Sequence, residues 1–307
     1  MDFIKATERG KNELWRYVLG ILTVLIFWLL LGALPVVAAF LWVSVDGDPT
    51  TGFDPGTGML EGVGPIWPYV VPNLTFPIFL LGIVIAVGVI HKRNLRTLVT
   101  PAPRVNWRRV GIGFGLWLLL ALLFTGIEFA LFPETFRWAW VGIGQYLPFL
   151  LLALIFTPIQ TTTEELFFRG YLLQATGRVT GAGTLLRRLL AAAINGVLFA
   201  LPHAANPEVA LGPVPLMLFY FGMGAFLAWI TLRDGTAELA IGAHAANNLF
   251  VALLVNYQES ALQTPALVMS DHLDPTYTLI TFILSAIIFA LLVFTVLPRR
   301  RRSYDQA

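Results

Sequence analysis

Eight apolar stretches succeed one another along this chain, at 17–43, 70–90, 110–132, 146–163, 189–201, 214–232, 239–255 and 277–297. Most are close to the roughly 20 residues with which an α-helix crosses a bilayer; the fifth is short. In hydrocarbon every backbone N–H and C=O must be satisfied internally, so spanning segments of this length are helices. Hydrophobic residues are 57% of the 307 and charged residues 12%, with mean hydropathy +0.75, so the stretches consume most of the chain and no soluble domain is needed to account for it. The expected fold is all-α, a polytopic transmembrane bundle of about eight spans. Pro35, Pro72, Pro77, Gly196 and Pro202 fall inside the stretches, where neighbouring groups can re-satisfy the interrupted backbone.

Charge sets an expected orientation. With eight spans, nearly every Lys and Arg falls on the side of the N-terminus, including Lys92, Arg93 and Arg96 after the second stretch and Arg299–Arg302 in the tail. Arg137 falls opposite, among Asp46, Asp48, Glu134, Asp271 and Asp274. By the positive-inside rule both termini are cytoplasmic. The tail then serves as a stop-transfer and headgroup anchor. Four regions follow: a lead at 1–16, three spans with an acidic outer loop at 17–145, a polar-bearing core at 146–255, and a last span with basic tail at 256–307. Residues 170–188 are mildly amphipathic and are expected along the cytoplasmic surface. The N-terminus reads as a retained first span, not a cleaved signal. Cysteine is absent, which excludes disulfides, thiolate metal sites and a cysteine nucleophile.

Polar residues at membrane depth are costly and mark functional sites. One set is Glu164, Glu165 and Arg169 in QTTTEELFFR; another is His203, four residues after Phe199; the third is His244 and Asn248, four apart on one helical face. Glu165 and Arg169, at i and i+4, can pair, while Glu164 points about 100° away and is free to face a cavity. Glu164 could serve as a general base, and His244 with Asn248 could hold an oxyanion; an ion-pair cluster and an interhelical clamp are the structural alternatives. Asn195, Gln160, Glu128 and Asn247 are assigned to packing or solvation. There is no HExxH, GxSxG or phosphate-binding glycine loop. Two histidines could also ligate haem, or a metal with Glu164.

The ordered set EExxxR, FxxxH and HxxxN, carried by Glu164–Arg169, Phe199–His203 and His244–Asn248, resembles the CPBP (CAAX protease and bacteriocin-processing, or Abi) family of intramembrane proteases, which includes the Rce1-type endopeptidases. The resemblance covers about 146–255. It implies that Glu164 activates the attacking water together with His203, that Glu165 and Arg169 hold the site's charge, and that His244 and Asn248 stabilise the tetrahedral oxyanion. It also implies proteolysis without a required cofactor, although zinc held by Glu164, His203 and His244 stays open. Because Glu164 is expected at the cytoplasmic end of the fourth span and His203 at the far end of the fifth, their meeting needs tilt, a re-entrant segment or a deep cavity.

The leading expectation is an intramembrane endopeptidase in the plasma (inner) membrane of a prokaryote. Its partners are the bilayer and a peptide or protein substrate, prenylated or otherwise membrane-borne; no nucleic acid is implied. Phe167, Phe168, Phe219 and Phe226 are candidates for a lipid-accessible groove. A non-catalytic scaffold or immunity protein of the same fold, and a transporter or haem protein, are the alternatives.

Overall fold

The computed structural model describes residues 3–54, 59–64, 66–181, 183–262 and 264–296; the tail arginines lie outside the described residues. Among the described residues eight long helices build the protein: α1 (Leu14–Val45), α2 (Trp67–Ile90), α3 (Trp107–Leu131), α4 (Ile143–Thr180), α5 (Leu185–His203), α6 (Pro213–Asp234), α7 (Glu238–Leu253) and α8 (Pro275–Val296). Seven of these are long and apolar enough to cross a membrane. The exception is α7, at 16 residues. It rises only about 24 Å, less than a hydrocarbon core of roughly 30 Å. Of the about eight spans expected, seven are thus helices of spanning length and one is this shorter helix.

Short as it is, α7 runs beside α3 from end to end. The Asn106 N–H at the start of α3 donates to Glu238 at the start of α7 (2.7 Å), and Trp117 bonds Asn247 in the middle. Beyond their far ends, β3 (Phe136–Trp138), β4 (Val255–Tyr257) and β5 (Val268–Ser270) form a small sheet, with β5 central, antiparallel to β3 and parallel to β4. A separate hairpin pairs β1 (Gly52–Asp54) with β2 (Met59–Glu61). These short strands are the non-helical exceptions to the expected all-α fold.

Glycine lets α3 and α7 approach this closely. A Cβ at Gly242 would lie 2.0 Å from the Val110 carbonyl oxygen, and one at Gly113 would lie 2.3 Å from that of Leu239. The α5–α6 crossing works the same way, with the Gly196 Cα 2.9 Å from where a Gly224 Cβ would sit. Small residues are the common means of joining helices in lipid, where no hydrophobic force draws them together. One cluster of buried side chains draws on all eight helices, from Val24 and Phe79 through Phe167 and Leu227 to Phe289. Leu122, Leu151, Ile155, Leu190, Leu201 and Ile283 are exposed, an outer apolar surface suited to lipid.

The fourth helix differs most from expectation. It continues past Thr163 to Thr180, through a π-helical stretch over Leu166–Leu172 in which every residue is buried. Arg178 and Val179 are exposed, but Leu173, Gln174 and Gly177 are buried and do not lie along the surface. They pack instead against the N-terminal 3₁₀ turn Ile4–Arg9: a Cβ at Gly177 would meet Ile4, and Gln174 donates to the Thr97 carbonyl at 2.7 Å. Arg178 and the paired helix ends around Arg16–Ile90 and Arg109–Asp234 show the basic helix ends gathered on one face of the bundle.

The tight α3–α7 seam makes a direct test. Gly242→Val, which forces a side chain into the Val110 carbonyl, is expected to lose about 1–3 kcal/mol or more. Gly115→Ala, which meets nothing within 4 Å, is expected to leave the thermal midpoint in detergent unchanged.

Candidate active site

Glu164 and Glu165 are the last residues before the α4 backbone widens into its π-helical stretch. Single π turns recur at functional sites because they re-aim side chains without ending the helix. Here the π stretch holds Arg169, four residues after Glu165, inside the core. The pair is fully buried, with Arg169 Nη1 3.0 Å from Glu165 Oε1. The guanidinium also lies over the Phe199 ring, 4.2 Å from its centroid. A buried charge without a partner is costly, so each half of this pair depends on the other.

Glu165 has a second partner. Its Oε1 accepts from His244 Nδ1 at 2.7 Å, across from α4 to α7. That bond fixes the imidazole and points Nε2 toward Glu164, whose Oε2 is 3.6 Å away. The two adjacent carboxylates therefore have different surroundings: Glu165 is sealed at 0% side-chain exposure, while Glu164 retains 11% and lines a cavity. The histidine stands between them.

The cavity has a volume of about 470 Å³, within the usual range for a small-molecule site. Glu164, His203, His244 and Asn248 all open onto it, so the four residues picked out in the sequence share one void. The difficulty of the far-end histidine disappears with the true length of α4. Because the helix runs on to Thr180, Glu164 lies deep within it, not at its end, and level with the end of α5 where His203 sits. His203 donates from Nδ1 to the Phe199 carbonyl, four residues back, at 2.7 Å. In that tautomer Nε2 is the acceptor. The ring stacks on Tyr220, 4.4 Å between centroids, with Phe199 on another side at 4.5 Å.

Asn248 is oriented by a relay the sequence did not suggest. Trp117 Nε1 donates to Asn247 Oδ1 (3.3 Å), and Asn247 Nδ2 donates to Asn248 Oδ1 (3.1 Å). This leaves the Asn248 amide N–H groups for the cavity. Asn247, Gln160 and Glu128, assigned from sequence to packing or solvation, line the cavity, whereas Asn195 does serve structure, donating to the Phe168 carbonyl at 2.6 Å.

Glu208 was missed altogether. It is buried at 3% exposure, bonded to Tyr220 and to Asn206 Nδ2 (3.0 Å), and its Oε2 accepts from the Ala261 N–H (3.0 Å). It ties the ring behind His203 to the loop after α7. A lone Glu in a connecting segment carries no sequence signal of that role. The apolar wall includes Trp28, Phe76, Phe124, Phe168, Phe219 and Met223; Phe167 and Phe226 belong to the core instead.

Among the described residues, no group of three His, Asp or Glu side chains is arranged to hold a metal ion. His203 spends Nδ1 on a carbonyl and His244 spends Nδ1 on Glu165. Both keep Nε2, the nitrogen through which an imidazole braced in this way ligates a metal, but Glu164, His203 and His244 are not gathered into a metal-holding group among the described residues.

The family described as type II CAAX prenyl endopeptidase Rce1-like matches residues 143–250, which carry all three motifs. An uncharacterized protein of Bacillus subtilis strain 168, YyaK, is 35% identical over 259 residues, covering 84% of this chain and 83% of its own. The chain belongs to the Rce1-like family. It is a multi-pass integral membrane protein of that family. No solved structure matches it.

The two acids can be told apart by stability. Glu165→Gln, which strands Arg169 among phenylalanines, is expected to cost about 3–5 kcal/mol and lower the yield of folded protein. Glu164→Gln, at the cavity wall, is expected to unfold within a few degrees of wild type in the same thermal assay.

Proposed function

We propose that this chain is an intramembrane endopeptidase that hydrolyses a peptide bond with water activated by Glu164 and His203. The observation that carries the reading is the shared cavity: one free carboxylate, one imidazole acceptor and one oriented amide face the same space. Amide hydrolysis needs a base for water, donors for the developing oxyanion and an acid for the leaving amine.

Each step uses the chain's own groups. Glu164 accepts a proton as the water oxygen bonds to the scissile carbonyl carbon, and His203 Nε2 accepts a hydrogen bond from the same water. The carbonyl oxygen becomes an oxyanion, held by the Asn248 amide N–H groups and by His244 Nε2 when that nitrogen carries a proton. Collapse breaks the C–N bond, and the proton on Glu164 passes to the departing nitrogen, leaving a carboxylic acid and an amine that part as carboxylate and ammonium. Glu165 and Arg169 do not touch substrate; they hold His244 in place. A water-poor cavity strengthens every one of these interactions.

Substrate class follows from the apolar wall. Trp28, Phe76, Phe124, Phe219 and Met223 offer a surface for a prenyl chain beside the polar end, which supports a prenylated C-terminal tail over a free peptide. The membrane is that of a prokaryote in this reading, in keeping with the Bacillus relative.

Glu164→Gln is expected to lower cleavage of a farnesylated tail peptide by about 10²–10⁴-fold. Asn248→Ala should lower it by about 10²–10³-fold, mostly in kcat. An unchanged rate in folded Glu164→Gln protein would reject it as the base, whereas a non-catalytic scaffold would cleave in neither form and keep its biological activity in the variant. Removing the farnesyl group should raise KM strongly; equal cleavage of both peptides would reject the prenyl-binding wall. Activity is expected to survive exhaustive chelation, and its loss, with recovery on zinc, would reject the sequence of steps given.

A further inference from the structure

A second hollow lies at the basic face, away from the catalytic cavity. It opens beside the end of α2, with a volume of about 670 Å³, and its walls include Arg9, Gly88, Val89, Lys92, Arg93 and Arg96. No acidic residue is among its lining residues. The chain leaves α2 through His91 and turns at Lys92, whose φ of +52° is a left-handed conformation rare for a residue with a side chain. That turn sends Lys92 outward and folds Arg93 in.

Arg93 is the informative residue. It is 5% exposed, and its Nη1 donates to Gln174 Oε1 on α4 at 2.8 Å. Its Nε and Nη2 have no hydrogen-bond partner, and neither does the buried Nη1 of Arg96. Burial pushes the Arg93 pKa down from its ordinary value. Buried polar groups are otherwise almost always bonded, and a buried guanidinium with spare donors costs free energy unless an acceptor reaches it. Two guanidinium groups and an ammonium make a set suited to phosphate oxygens, since guanidinium binds them in a fixed fork.

The surroundings choose among phosphates. The hollow does not end in polar surface on the α2 side. Gly88 faces open space, Val89 is 66% exposed, and Val84 and Leu81 are exposed above it on the same helix. The π-helical stretch over Ile85–Ile90 brings Val89 beneath Val84. An apolar strip of a membrane-spanning helix thus runs directly into the basic hollow.

We propose that this hollow binds the phosphate of an anionic phospholipid headgroup, with the free N–H groups of Arg93 and Arg96 and the Lys92 ammonium on its oxygens and an acyl chain along Val89, Val84 and Leu81. Polybasic sites beside membrane spans attract anionic lipid in this way. The bound headgroup would brace α2 against α4 through the Arg93–Gln174 bond. The proposal does not rest on the proteolytic reading.

The test uses the full chain, purified in neutral detergent and titrated with phosphatidylglycerol, phosphatidylcholine or inorganic phosphate. Bound lipid is read by native mass spectrometry and thermal midpoint. Phosphatidylglycerol is expected to stay bound as a discrete adduct and raise the midpoint saturably, and phosphatidylcholine not to. Lys92→Asn with Arg96→Gln should weaken phosphatidylglycerol by about tenfold or more. Asparagine tolerates the left-handed turn, so the lipid-free midpoint should stay near wild type; if the double variant does not fold, either single variant decides. Equal binding of the two lipids, or undiminished binding by the variants, would overturn the proposal. A saturable shift with inorganic phosphate that phosphatidylglycerol does not exceed would overturn the lipid assignment in favour of a soluble anion.

Discussion

A guanidinium sits in the middle of this bundle, with none of its surface exposed. Arg169 is among the largest fully buried side chains, stacked on Phe199 and paired to Glu165. A charge in that position demands an opposite charge, and Glu165 supplies it. Glu165 in turn fixes His244 from the neighbouring helix. One desolvated ion pair therefore sets the register of α4 against α7 and the orientation of the imidazole. With Glu165 committed, the adjacent Glu164 turns to the cavity and keeps access to it. The chemistry rests on this division between two neighbouring carboxylates.

Packing makes the division possible. Charge can be buried across helices only where backbones come close enough for short side chains to meet, and glycine provides this at Gly113, Gly242, Gly196 and Gly224. The α3–α7 seam carries His244 and the Trp117–Asn247–Asn248 relay; the α5–α6 seam carries Phe199 and His203. Phe199 joins both, with its ring under Arg169 and near His244 (5.8 Å), and its carbonyl accepting from His203. The FxxxH spacing thus has a physical meaning: the phenylalanine supports a cation, and its backbone selects the tautomer of the histidine one turn on.

Much of this was legible in the sequence, for reasons that differ by feature. Helices in lipid announce themselves by long apolar runs, so the helical segments were readable. The i, i+4 spacing of Glu165 with Arg169 gave their pairing. What failed were features set by tertiary context. The fourth apolar run stops at Thr163, before Glu164 and Glu165, whereas Leu172, Leu173 and Gln174 are buried and the helix runs on to Thr180. That misplaced Glu164 at a helix end and made its meeting with His203 look difficult. Hydropathy also could not show that the seventh stretch forms only 16 helical residues before entering a sheet. The contact of His244 with both acids, and the part played by Asn247 and Glu208, depend on distances between helices and leave no local trace.

The central claim is that adjacent acids differ in access because one is locked to Arg169 and His244. Dicyclohexylcarbodiimide, an apolar reagent that modifies membrane-embedded carboxyl groups, tests this directly when labelled peptides are mapped by mass spectrometry. Labelling of Glu164 with Glu165 unmodified, and loss of cleavage in proportion, is the expected result. Modification of Glu165 in folded protein, or equal labelling of both, would contradict the account.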